Sequence, residues 1–255
     1  MIANYHTHTY RCHHAYGCEW EYVENAIAGG LKVLGFSDHI PNPLNPGHLG
    51  VRMGHHQLKD YIEVFQKMKK LYGDRITLRC GLEVEYEPVR FAAQQEMLAE
   101  HPGIEYLLMG QHLYCDKEGR IYTSTTATAE EWALAAYVDQ VLAGLSTGKF
   151  LYLAHPDTLN FVGEDSLFKK HYRRLCRETK AMDIPLEING QGLRAGKFYP
   201  NLKFWELAAE EGCRVVLGTD AHTPAVTYKK QEADTLRDIA RSFHLPIIES
   251  LEDRL

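Results

Sequence analysis

Fourteen of the 255 residues are histidine, and the motifs that hold them point to one kind of chemistry. His6-Thr7-His8, the adjacent pair His13-His14, Ser37-Asp38-His39, Gly110-Gln111-His112, Ala154-His155-Pro156 and Gly218-Thr219-Asp220-Ala221-His222 each follow an apolar run or sit just past one. With one of the pair counted, they supply seven imidazoles; Glu83 and Asp220 add two carboxylates. Neutral imidazoles crowded around one cavity would compete for few hydrogen-bond donors, so a cation is the expected partner. Imidazole with few carboxylates suits zinc, iron or manganese better than calcium or magnesium. Nine candidate ligands exceed the roughly four that one zinc takes, so two or three divalent ions with a bridging carboxylate are expected. Clustered divalent ions serve phosphoryl hydrolysis: one makes hydroxide available at neutral pH while the others hold phosphate oxygens. Three dications against two carboxylates and a hydroxide leave roughly +3 locally, enough to draw in a phosphate ester. Arg194 is the natural bidentate phosphate clamp. Cys12, lying among the histidines, is a further candidate as a soft ligand.

These residues need elements that bring them together. Short apolar runs alternate with longer amphipathic ones: Ile2–Tyr5 with Glu19–Gly29, Val33–Phe36 with Gln57–Tyr72, Ile76–Val84 with Pro88–Glu100, and Tyr106–Met109 with Glu130–Leu145. Phe150–Leu153 with Ser166–Met182, Leu186–Ile188 with Asn201–Glu211, and Val215–Leu217 with Tyr228–Phe243 complete the series. Tyr61, Phe65 and Met68 fall at i, i+4 and i+7, a helical face. Thr128 with Glu131 three residues on reads as a capping box. The strands are almost continuously apolar, as in a parallel sheet covered by helices. Seven βα units with right-handed crossovers imply an α/β barrel or a doubly wound sheet. In a barrel every C-terminal strand end opens on one face, where active sites sit. Residues as far apart as His6 and His222 should then meet in one pocket. The long loop Pro41–Gly54 and its margin, with His48, Arg52, His55 and His56, leaves from that face, so Arg52 or a loop histidine is a candidate to touch substrate. His101, His171 and His244 lie on or near helices and are expected to face solvent.

Composition narrows the class. Hydrophobic residues at 45% and charged residues at 24% are ordinary for a folded chain, read here as one domain over residues 1–255. No apolar run reaches the roughly 18 residues of a membrane span, and Met1–His6 has no basic-then-apolar signal pattern. The net charge of −6 without a basic block argues against a nucleic-acid partner. Six scattered cysteines without a C-x-x-C pair fit reduced thiols and a cytoplasmic setting. The expected partner is a small phosphorylated metabolite.

His6-Thr7-His8-Thr9, His14-Ala15-Tyr16, Phe36-Ser37-Asp38-His39, Gly81-Leu82-Glu83, Gly110-Gln111-His112, Ala154-His155 and Gly218-Thr219-Asp220-Ala221-His222 resemble, in order, the pattern of the polymerase and histidinol phosphatase (PHP) family. The match spans essentially the whole chain. Glu187-Ile188-Asn189-Gly190-Gln191-Gly192-Leu193-Arg194, followed by Tyr199-Pro200, looks most like the stand-alone histidinol-phosphate phosphatases. The resemblance implies a distorted (β/α)7 barrel of TIM-like form and a trinuclear centre. His6, His8, Glu83 and Asp220 would hold the first ion, and Glu83, His112 and His155 the second, with Glu83 bridging. His14, His39 and His222 would hold the third. It implies hydrolysis of L-histidinol phosphate, as in histidine biosynthesis, by a metal-bridging hydroxide. Asp220, His222 and Arg194 are the catalytic candidates, and Arg194 and, from the overhanging loop, Arg52 are the candidates on the substrate. Glu85, Tyr86, Tyr16 and Tyr114 are further candidates for the rest of the substrate. Rival readings keep the metals and change the ester, to a nucleotide, another metabolite phosphate or phosphotyrosine, or make the chain a regulatory module with a vestigial site. Amidohydrolases share the first His-x-His but typically add a carboxylated lysine, and no lysine sits at a strand end here.

Overall fold

A computed structural model describes residues 1–47 and 50–255, so the candidate His48 lies outside the described residues. In chain order the elements are β1 (Ala3–Asn4), α1 (Glu19–Gly29), β2 (Val33–Phe36), α2 (Leu58–Tyr72), β3 (Thr77–Val84), α3 (Pro88–Ala99), β4 (Tyr106–Gly110), β5 (Leu113–Cys115) and β6 (Ile121–Thr123). They continue with α4 (Glu131–Leu145), β7 (Tyr152–Ala154), α5 (Asp165–Ala181), β8 (Leu186–Asn189), α6 (Gly190–Arg194), α7 (Leu202–Glu210), β9 (Val215–Gly218) and α8 (Lys230–Ser242). Seven strands pair in parallel in the order β1-β2-β3-β4-β7-β8-β9. A bridge between Thr7 and Ala221 brings the last strand back to the first, with the His8 amide donating to the Ala221 carbonyl at 2.9 Å. The result is a nearly closed, distorted (β/α)7 barrel, as the alternation of elements implies.

The strands are apolar throughout because both faces are covered. Leu34, Phe36, Leu78, Cys80, Leu82, Val84, Leu107 and Met109 pack outward into the core shared with the helices, where Tyr61 and Phe65 of α2 meet them. Alternate residues turn inward: Val33, Tyr106, Leu108, Tyr152 and Val216 join Tyr5 and Leu251 in a second core inside the barrel. The Tyr106 hydroxyl donates to the carbonyls of Tyr5 and Phe36, and it lies where a Cβ on Gly35 would be. The carboxyl-terminal segment closes the opposite mouth. Ile247 bridges to Val215, and the Leu251 amide donates to the Tyr5 hydroxyl at 2.9 Å. The inward residues of β3 run from this floor up to Glu83 at the open face.

Three local readings need correction. α4 begins at Glu131 with Glu130 as its N-cap, and the Thr128 hydroxyl accepts from the Glu130 amide instead of closing a capping box. The stretch after β4 is not plain loop but an antiparallel hairpin, β5–β6, whose cross-strand pair Tyr114 and Tyr122 stacks at 5.5 Å between centroids, with Trp132 of α4 against Tyr122 at 5.2 Å. His171 is buried on α5 and bonds Glu131 at 3.0 Å, because α5 packs that face on α4.

Candidate metal centre

The sheet ladders continue a few residues past the strands, and those residues carry the site. The Ser37 amide donates to the Thr7 carbonyl at 2.8 Å, Glu83 to Asp38 at 3.0 Å, and Ile40 to Glu83 at 3.0 Å. His155 and Asp220 leave β7 and β9 with φ of 30° and 48°, a region that non-glycine residues enter only when their surroundings force it. Both side chains thereby turn to the centre of the open face.

The first four predicted ligands form a cage. His6 Nε2 lies 3.2 Å from His8 Nε2, and 3.5 Å from both Glu83 Oε2 and Asp220 Oδ1. His8 Nε2 lies 3.3 Å from each of the same two oxygens. An ion bound tetrahedrally at about 2.0–2.2 Å sets its ligands about 3.3–3.6 Å apart, close to the separations of His6 and His8 from each other and from each carboxylate oxygen. All four residues are 3% exposed or less. Asp220 Oδ1 has no hydrogen-bond partner among the described residues, a costly state for a buried carboxylate oxygen without a cation. The donor set fits a divalent transition ion.

Supports outside the cage fix its members. Glu187 accepts from His6 Nδ1 at 2.9 Å, which leaves Nε2 with its lone pair toward the cage. The same carboxylate takes the Tyr152 hydroxyl at 3.1 Å, the His155 amide at 3.2 Å and the Asn189 amide group at 2.9 Å. Asn189 also donates to Asp220 Oδ2 at 3.1 Å. Asp38 holds the Thr9 amide at 2.7 Å and the Thr9 hydroxyl, so it orders the chain just past His8. Glycines on the neighbouring strands leave the room: a Cβ on Gly110 would overlap the Glu83 carboxylate, and one on Gly218 the Glu187 carboxylate.

The remaining predicted ligands surround this cage. His155 Nε2 sits 2.9 Å from Glu83 Oε1, and His112 Nε2 sits 3.8 Å from the same oxygen, with its Nδ1 3.2 Å from Glu85. Glu83 thus turns one oxygen to the cage and the other to His112 and His155. His14 Nε2 and His222 Nε2 face each other at 2.8 Å. His39 presents Nδ1 to Glu83 Oε2 at 3.1 Å and groups with Glu83 and His112, whereas Cys12 groups with His8 and His222.

Charge follows from this crowding. Burial opposes charging His8, but the neighbouring Asp220, Cys12 and Glu83 prevail and push it up to about 10. Burial would likewise raise Glu83 and Asp220, yet the facing imidazoles hold both well below the usual carboxylate range. His222 is pushed down to about 3, chiefly by burial and then by the charge on His8. Burial also resists ionising Glu85, but Arg52, His112 and Arg90 bring it down to about 2.

The candidate substrate residues are already partnered. Arg194 gives Nη1 to Glu232 at 2.5 Å and Nη2 to the Asp220 carbonyl at 2.9 Å, and borders a cavity of about 280 Å³ with Gln191, His222 and Thr223. Arg52 bonds Glu85 through Nη2, while its buried Nη1 has no partner among the described residues. Tyr114 is buried under the hairpin and Tyr16 is 72% exposed at the rim. The supporting carboxylates Glu187, Asp38 and Glu85 were the part that ligand spacing does not reveal.

Comparison with known proteins bears on the family of the chain. The PHP domain model matches residues 4–191. The Probable histidinol-phosphatase of Deinococcus radiodurans is 28% identical over 232 residues, 88% of this chain and 87% of the relative. Its namesake in Schizosaccharomyces pombe is 24% identical over 251 residues, 88% of this chain and 81% of the relative. Among solved structures, the histidinol phosphate phosphatase of Lactococcus lactis, complexed with zinc, L-histidinol and phosphate, superposes with a TM-score of 0.73 at 16% identity, over 97% of this chain and 95% of that one. At that identity the likeness is one of fold.

Proposed function

The chain belongs to the PHP domain family, and on that footing we propose that it is a metal-dependent phosphatase that hydrolyses a small phosphate monoester, L-histidinol phosphate foremost, to L-histidinol and phosphate. The observation that carries the reading is the four-donor cage of His6, His8, Glu83 and Asp220, extended by His112 and His155 on the second oxygen of Glu83. Two or three zinc, iron or manganese ions held there and by His14, His39 and His222 would make water nucleophilic at neutral pH and offset phosphate charge. The choice of ester is supported by the names of the D. radiodurans and S. pombe relatives and by the zinc, L-histidinol and phosphate of the L. lactis neighbour.

The chain's own groups divide the remaining work. Asp220 Oδ1, without a hydrogen-bond partner among the described residues and facing the cage, would hold an ion there. His222, kept neutral by burial, suits an ion ligand at the rim. Arg194 is braced by Glu232 and the Asp220 carbonyl, which fixes its remaining N–H donors beside His222 for phosphate oxygens. Arg52 offers Nη1, which has no partner among the described residues, from the other side, next to Glu85 and His112. A second reading keeps this chemistry with another ester, since a relative in Clostridium acetobutylicum, 21% identical over 249 residues, is named only as a Probable phosphatase. A phosphate-release panel of histidinol phosphate, nucleotides, sugar phosphates and phosphotyrosine separates them. Histidinol phosphate should lead by kcat/KM and chelator should abolish turnover. Another ester leading would overturn the substrate, and no turnover on any would overturn the phosphatase reading.

A further inference from the structure

We propose that Cys12 is a metal ligand of this centre, giving a thiolate beside His14 and His222 so that one ion sits in a mixed sulfur–nitrogen site. The proposal rests on reading the cluster as a metal centre and refines it. Cys12 is completely buried at the end of the short helical turn Tyr10–Cys12. His13 follows with φ of 63° and swings the chain back, so that His14 Nδ1 donates to the Cys12 carbonyl at 2.7 Å. One tight turn therefore brings the thiol and the His14 ring to the same space.

His14 spends its single N–H on the Cys12 carbonyl, and His222 Nδ1 lies 3.1 Å from the Asp220 carbonyl. Their Nε2 atoms face each other at 2.8 Å, and Gln191 Nε2 lies 3.2 Å from His222 Nδ1. Cys12 Sγ, a ring nitrogen of His8 and a ring nitrogen of His222 lie within 4.8 Å of one another. His8 is 1% exposed, and its Nδ1 has no hydrogen-bond partner among the described residues. His39 turns Nδ1 to Glu83, and its ring stacks on that of His14 with centroids 5.6 Å apart. The buried thiol is thus a donor grouped with His8 and His222, beside the His14 ring that faces His222.

Ion binding would release the thiol proton to solvent and form one metal–sulfur bond, with no change of oxidation state. A sulfur donor favours zinc, cobalt or cadmium at that position over manganese or magnesium. The test loads chelated full-length protein with cobalt(II). The wild type should show a near-ultraviolet sulfur-to-cobalt charge-transfer band, lost in Cys12→Ser and kept in Cys18→Ser and Cys115→Ser. X-ray absorption on the zinc-loaded wild type needs no variant and should show a sulfur scatterer at about 2.3 Å. A loaded protein with only nitrogen and oxygen neighbours, or a band that survives Cys12→Ser, removes the Cys12 assignment and leaves the metal centre standing. Failure to bind any ion tightly removes both.

Discussion

A buried carboxylate without water must be met by hydrogen bonds or by positive charge. Glu187 meets this need entirely with protein groups, and Asp220 does not, which is what separates a support from a ligand here. Replacing Glu187 by Gln keeps the shape and removes the charge that fixes the His6 tautomer. Ion affinity should fall about 10- to 100-fold, read by competition with a chromophoric chelator. Arg194→Ala should lower kcat/KM about 10- to 100-fold through lost charged hydrogen bonds, with bound ions unchanged. If the ions leave as well, the brace on the Asp220 carbonyl is the residue's main role. The ligands were legible in the sequence because each announces itself through residue type and position at a strand end. Glu187 stands in full view in its motif, but its partner His6 is 181 residues away, and only folding makes the pair.

At the scale of elements, neighbouring strands fit one another through glycine. Gly110 of β4 and Gly218 of β9 lie where the carboxylates of β3 and β8 cross to the centre. Gly110→Ala should push Glu83 aside, cost about 1–3 kcal/mol by overpacking and abolish tight ion binding. Thermal unfolding and metal analysis on the purified variant check both, and a variant with full metal content would contradict the fit. The seven βα repeats were readable because continuous apolar strands and amphipathic helices differ in period. The hairpin was missed although Asp116-Lys117-Glu118-Gly119-Arg120 between two short apolar runs is a turn signal, with Asp116 accepting from the Glu118 and Arg120 amides and Gly119 at φ 79°. Strands of three residues give too little alternation to be seen by period alone. α6, five residues on a Gly-containing segment, is set by the Asn189 side chain capping the Gly192 amide and escapes the same test.

Across the whole molecule, folding brings the acidic and imidazole side chains of the predicted ligands from six strand ends into one volume. Without ions, protons on imidazole balance the carboxylates, and His8 titrates at about 10. Below that pH the metal-free protein carries a proton that an entering ion must displace, so binding releases it. Apparent affinity should therefore fall about tenfold per pH unit of acidification for each proton displaced. Proton release on zinc titration of the chelated protein, followed in weak buffer at pH 7, checks this, and uptake without release would contradict it. The most direct measurement of the central claim is anomalous diffraction at the zinc edge from crystals of the zinc-loaded protein. A peak about 2.0–2.2 Å from His6 Nε2, His8 Nε2, Glu83 Oε2 and Asp220 Oδ1 is the predicted result. A loaded crystal with no peak among those four atoms would contradict it.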